Sequence, residues 1–332
     1  MNIQNRAEGV HLMARPSMLV KVGENEFKAL LNRDETIADV KEHLSPWLDL
    51  LRDLSNYGSN LIPRCFSSSA RGLKDAVVLG TLLRQIVTML DGVEVLLSNG
   101  APYTAQLQLR ALLEAYIYIE WILESDGDKK AAYYYVRNLR RKRMWASRTQ
   151  PGSAESDEFI AMMVKDVGLR IDDRVREVSK QQLQQIDRVL SQPSFAEINK
   201  DFDNHRKRTK YDPAWYVPLG QRSLGSIARS VGKASLYTIV YSGASEVMHS
   251  SSYEHHMKIG KGELTFQPIR SIEGFESVFR FAVAIVLSTF RRVLEEYRDG
   301  ELLLFGRKYV EKWQQEFINF PKFKFEAKST RI

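Results

Sequence analysis

Two long apolar segments stand back to back in this chain, and they constrain its fold more than any other feature. "LKDAVVLGTLLRQIVTMLDGVEVLLS" at 73–98 and "YTAQLQLRALLEAYIYIEWILES" at 103–125 are parted only by "NGAP". Within each, apolar residues recur at three- and four-residue steps, the spacing of a helix face and not of a strand. The pair predicts a helical hairpin with a short connection.

The rest of the chain extends that pattern. Asp34 or Thr36 is expected to cap a helix running to about Tyr57, where "GSNLIPRCFSSSARG" supplies glycine, proline and serine breaks. "KKAAYYYVRNLRRKRMWASR" predicts a third core helix, residues 157–206 are polar and helical, and "YDPAWYVPLGQRS" is a loop. Helix is expected again over 224–250, about 273–298 and 301–319. "MKIGKGELTFQPIR" reads as a hairpin around Gly260-Lys261-Gly262, and "MLVKVGENEFKALL" alternates around a Gly-Glu-Asn turn. The expected fold class is therefore all-α: a single helical bundle over residues 35–320 with a small β-hairpin insertion near residues 257–270. An N-terminal arm, residues 1–34, and a C-terminal tail, residues 321–332, flank it.

At 332 residues and 44% hydrophobic content the chain can bury a sizeable core. The longest purely apolar run, "FAVAIVL" at 281–287, lies between Arg280 and the Arg291-Arg292 pair, too short to cross a bilayer. The single cysteine, Cys65, cannot form an intramolecular disulfide, and "MNIQNRAEGVHLMARP" lacks the apolar core of a secretory signal. A cytoplasmic protein without a membrane partner is the expectation. A net charge of +7 permits an anionic partner without naming one.

Chemistry concentrates on two helices. On 105–123, Gln106, Arg110 and Glu114 follow at steps of four and draw one polar line along an otherwise apolar helix. On 234–250, Thr238, Ser242, Ser245 and His249 occupy a narrow sector with Tyr241 beside it. A buried Arg and Glu must be paired, so the two stripes suggest a shared interior pocket or a network that fixes helix register. As a pocket, it would use His249 to exchange protons and Arg110 to hold a phosphate or developing negative charge. Glu114 would orient Arg110 or His249, and Tyr241 and Ser245 would add hydrogen bonds.

With "LLRQIVTMLDGVEVLLSNG" before it and "YTIVYSGASEVMHSSS" after it, "LRALLEAYIYIEWIL" resembles a bacterial family of unknown function, the domain of unknown function 5677. Its members carry an Arg-x-x-x-Glu helix and a later Tyr…Ser-x-x-x-His helix. The resemblance covers roughly residues 70–290 and implies Arg110, Glu114, Tyr241, Ser245 and His249 as signature positions, without an activity. The helical pattern is also similar to the HEPN group, whose nuclease members place an Arg and a His a few residues apart on one helix and act on RNA without metal, in defence and toxin systems. Here that spacing occurs only as Arg6 and His11, in the arm, so a nuclease reading requires Arg110 to serve His249 from another helix.

Glu246 and His249 form a Glu-x-x-His pair, the unit that di-iron bundles use twice, but its second copy, Glu8 and His11, lies in the arm. His255 and His256 follow the helix and have no Cys or Asp companions at metal spacing. No metal and no cofactor are expected, and the two histidines are read as lining the loop before the hairpin. Glycine-rich phosphate loops and Gly-x-Ser-x-Gly elbows do not occur. In "YYYVRNLRRKRMWASR", Arg137, Arg140, Arg141, Arg143 and Arg148 with Trp145 suit a nucleic-acid backbone or a solvated face. The leading expectation is an RNA-binding or RNA-cleaving protein of phage-defence or toxin type. Its rivals are a non-catalytic sensor or adaptor, binding a small anion, a protein partner or a second copy, and a metal-bundle oxidase.

Overall fold

The computed structural model describes residues 30–321, with residues 250, 252, 261 and 262 excepted. The hairpin expected in the N-terminal arm lies outside the described residues. The helices are α1 (Arg33–Ser68), α2 (Leu73–Ser98), α3 (Pro102–Glu124), α4 (Gly127–Arg148), α5 (Ala154–Met162), α6 (Asp173–Leu190), α7 (Pro193–Thr209), α8 (Leu224–Ser230) and α9 (Ala234–Met248). After β1 (Met257–Gly260) and β2 (Glu263–Phe266) come α10 (Phe275–Tyr297), α11 (Leu302–Lys308) and α12 (Gln314–Ile318). The class is all-α, and the two four-residue strands pair antiparallel with Met257 opposite Phe266.

Where the sequence predicts one bundle over 35–320, the described residues group into two compact units. Among the described residues, one is drawn from 30–71, 79–120 and 228–321, the other from Gly72–Val78 and Trp121–Ile227.

In the first unit, α1 does not stop at Tyr57 but runs to Ser68 through Pro46 and Pro63. Each proline removes a backbone donor, yet Leu54, Gly58, Leu61 and Cys65 keep one face buried through the predicted break. Burial of that face outweighs the local preference for a turn. Its start also differs from expectation: Asn32 precedes the first residue, and Thr36 is buried inside, its hydroxyl donating to the Asn32 carbonyl at 2.8 Å. Burial pushes the Cys65 thiol up to about 11, which makes it a protonated packing group and not a nucleophile.

Among the described residues α2 alone is long and apolar enough to cross a membrane by length and composition. Its Ile86, Leu90, Val93 and Leu97 are fully buried where it packs with α1 and α10. Gly100 ends it at φ +64, with the Ala101 amide reaching back to the Leu96 carbonyl, and Pro102 opens α3 at the first helical position. The helix expected over 224–250 is two helices, because Gly232 adopts φ +70 between α8 and α9. At the far side of α1, the Asp53 carboxylate accepts from the Trp313 indole and from Lys312, which ties down the Tyr309–Trp313 π-helical turn between α11 and α12.

In the second unit α4 is central and packs against α5, α6 and α7. Its consecutive tyrosines separate: Tyr133 meets Phe202, Tyr134 meets Trp215 and Tyr135 meets Phe195. Lys130 is buried, and its ammonium donates to the Trp121 carbonyl over the Trp121 ring. Burial lowers the Lys130 pKa, with the charges of Glu124 and Asp126 opposing.

Gly58 marks a close helix crossing in the first unit. A methyl group there would lie 2.6 Å from Phe290 Cζ and 2.7 Å from Val87 Cγ2, whereas one on Gly80 would meet nothing within 4 Å. Alanine favours helix over glycine by about 1 kcal/mol, but overpacking a fitted core costs about 1–3 kcal/mol. Gly58→Ala is therefore expected to lower the denaturation midpoint, and Gly80→Ala to leave it unchanged or raise it. Equal midpoints for the two variants would overturn the close-crossing account.

Candidate functional site

In the first unit, α3 and α9 meet through Arg110 and Tyr241. Arg110 projects from α3 with only 13% of its side chain exposed. Its Nε donates to Glu114 Oε1 at 3.2 Å and its Nη2 donates to the Tyr241 hydroxyl. The guanidinium carbon lies 3.9 Å from the Tyr241 ring centre, within cation–π range. Tyr241 in turn stacks on Tyr237, with centroids 4.6 Å apart and planes 23° from parallel. Burial, with Tyr241 beside it, raises the Tyr237 pKa, so its phenol stays protonated across the physiological range.

The third guanidinium nitrogen is placed differently. Arg110 Nη1 has Met248 Sδ at 3.5 Å as its partner, and a thioether is a weak acceptor. One turn earlier on α3, Gln106 lies against the α9 backbone: a methyl group on Gly243 would come within 3.6 Å of its Oε1.

The two remaining signature residues do not join this group. Ser245 is half-buried, His249 is exposed just past the last turn of α9, and neither side chain bonds to another described residue. The His249 amide donates to the Ser245 carbonyl at 3.0 Å. Thr238 and Ser242 are exposed, and the Thr238 hydroxyl folds back onto the Ala234 carbonyl. The reason lies in how little α9 buries: only Val240 and Ala244 are inaccessible, so most of its polar stripe faces water and not α3.

A neighbouring cluster joins the two loop histidines to a tyrosine that sequence spacing passed over. Tyr103, in the first turn of α3, has its ring centre 4.9 Å from His255 and 5.2 Å from His256. Its hydroxyl and His256 Nε2 are 3.3 Å apart. The segment after β2 holds this end of the unit together: the Gln267 amide donates to the His256 carbonyl, the Ser271 amide to the Gly100 carbonyl and Arg270 Nη1 to the Asn99 carbonyl. No local pattern pairs a tyrosine and a histidine 153 positions apart. Among the described residues, no group of three or more His, Cys, Asp or Glu side chains is placed to hold a metal ion.

On α4, in the second unit, the row of cations is largely spent within the protein. Arg140 is 7% exposed; it grips Asp212 with two bonds of 2.8 and 2.9 Å, and also meets Asp203 at 2.8 Å and the Asn199 side chain. Arg137 donates to the Pro213 carbonyl at 2.6 Å, Arg143 pairs with Asp187 and Arg148 with Glu155. Arg141 remains exposed, with no ion pair among the described residues. Four of the five arginines expected on a nucleic-acid face thus answer to carboxylates and carbonyls within the protein.

Residues 75–263 match the model of a family of unknown function, DUF5677. No curated protein and no solved structure matches the chain.

Burial alone would raise the Asp212 pKa, but the hydrogen bonds and charge of Arg140 outweigh it and hold the carboxyl below the usual aspartate range. A depressed native pKa contributes stability that is present above the unfolded value, about 4, and is lost as pH falls through the native one. Urea midpoints followed from pH 7 to pH 2 are expected to fall below about pH 4, and Asp212→Asn to flatten that fall. Arg140→Ala is expected to cost about 3 kcal/mol at pH 7, since it strands a partly buried carboxylate. An unchanged acid limb in Asp212→Asn would sink this assignment.

Proposed function

The chain belongs to DUF5677, a family of unknown function, and from the residues at the α3–α9 seam we propose that it binds RNA there and cleaves it without metal. The observation that carries this reading is Arg110 Nη1, a charged donor whose partner is the weakly accepting Met248 sulfur. A phosphate oxygen is a far better acceptor, and a guanidinium held by Glu114 and Tyr241 is already oriented to receive one. His249, the residue after Met248, has an exposed imidazole not committed to another described residue.

In the proposed reaction His249 takes the proton of a ribose 2′-hydroxyl as that oxygen bonds to the adjacent phosphorus. The bond to the 5′-oxygen breaks, and the leaving oxygen takes a proton from solvent. The products are a 2′,3′-cyclic phosphate and a 5′-hydroxyl. Arg110 stabilises the charge that builds on the phosphoryl oxygens, and Glu114 and Tyr241 position Arg110. Such an activity suits a defence or toxin-type effector acting in the cytoplasm.

A second reading rests on the narrowness of the same place. Because Arg110 is only 13% exposed, a single anionic group of a small ligand suits it as well as a strand does. The chain would then be a non-catalytic sensor or adaptor.

End-labelled RNA incubated with the protein in excess chelator separates the two. Wild type is expected to cleave, His249→Ala to lose at least ~100-fold in rate and Arg110→Lys to lose ~10-fold or more, since lysine lacks the planar fork. Undiminished cleavage by His249→Ala, or intact RNA with wild type, would sink the nuclease reading. Thermal stabilisation by a mononucleotide that vanishes in Arg110→Lys, without any cleavage, would favour the sensor.

A further inference from the structure

We propose that Tyr103, His255 and His256 form a base-stacking clamp, and that the substrate of the α3–α9 seam is therefore single-stranded RNA with an unstacked base, not duplex. This rests on the RNA reading above and specifies its substrate. The centres of both imidazoles lie within 5.2 Å of the Tyr103 ring centre, with His255 tilted against the tyrosine and His256 edge-on to it. Both imidazoles are exposed while Tyr103 is half-buried, so the tyrosine supports the cluster and the imidazoles are open to a ligand. Such partly supported, solvent-facing rings are the elements on which proteins stack single-stranded bases.

Position on the helix ties the clamp to Arg110. Tyr103 and Arg110 are seven residues apart, two turns along one face of α3 and about 10 Å by helical rise. A strand with its phosphate at Arg110 can thus present a neighbouring base to the imidazoles. Holding the rings in place are the Tyr103–His256 bond at 3.3 Å and the Gln267-to-His256 backbone bond, which secure His256 from both sides. Bases inside an A-form duplex are stacked, and its major groove is too deep and narrow for these side chains to reach them. A clamp of this kind thus selects for unpaired RNA.

Fluorescence anisotropy with a labelled oligouridine or oligoadenine strand, and with the same strand annealed to its complement, tests this on the full chain. Wild type is expected to bind the single strand at least tenfold tighter than the duplex. His255→Ala and Tyr103→Ala should each weaken single-strand binding by roughly ten-fold while leaving duplex binding unchanged. Tyr103→Phe, which keeps the ring and loses the hydroxyl, should stay within about threefold of wild type. His255 is exposed and outside the core, so its variant reports on the clamp even where Tyr103→Ala destabilises the fold. If wild type binds RNA through Arg110 but His255→Ala and Tyr103→Ala bind the single strand equally well, the clamp is overturned and the RNA reading survives. If wild type binds neither form, the RNA reading fails and takes the clamp with it.

Discussion

A helix that is apolar on nearly every face can be stable in water only if other elements enclose it, and α3 imposes that requirement. Leu109, Leu112, Leu113, Tyr116, Ile117 and Ile119 are all buried, so Arg110 among them is held close to the interior. A guanidinium in that position must have partners, because a charge desolvated without compensation costs several kcal/mol. Glu114 supplies one from the same helix and Tyr241 supplies one from α9. The seam follows from that need: α9 comes to α3 where its tyrosines can receive the charge, leaving most of its own polar residues in water.

What could be read beforehand divides by the range of the interaction. The core helices α2, α3 and α4 are legible because their apolar spacing is local, and the Arg110–Glu114 pair is legible because four residues on one helix always bring side chains together. The meeting of Arg110 with Tyr241 across two helices could be suggested but not located, because nothing local tells which residues of α9 turn inward. The stretch after Tyr57 looked like an end to α1 because local rules weigh its glycine and the missing donor of Pro63 and cannot weigh Leu61 and Cys65, which are fully buried on either side of that proline. The arginines of α4 looked free for the complementary reason. Asp187, Asp203 and Asp212 lie in other elements, and only folding shows which cation each takes.

The two sets of arginines teach the same lesson about reading charge. Density of basic residues is greatest on α4, yet Arg140 is enclosed by oxygen acceptors on every side that matters and offers nothing outward. Arg110 stands nearly alone on its helix and keeps a nitrogen opposite sulfur. Affinity for an anion depends on what a donor still lacks, not on how many donors stand in a row. The lone, incompletely satisfied arginine is consequently the better candidate than the crowded ones.

The close crossing at Gly58 also has a bearing on the order in which the chain can fold as it leaves the ribosome. Phe290, which fills the space above that glycine, belongs to α10, the last long helix to be synthesised. Every residue of the second unit is made before it, so that unit can complete its own packing while the parts of α1 and α2 that α10 covers are still open. Segments held open in this way are where nascent chains associate wrongly or recruit chaperones. The earliest helices to emerge would be the last to have their packing completed.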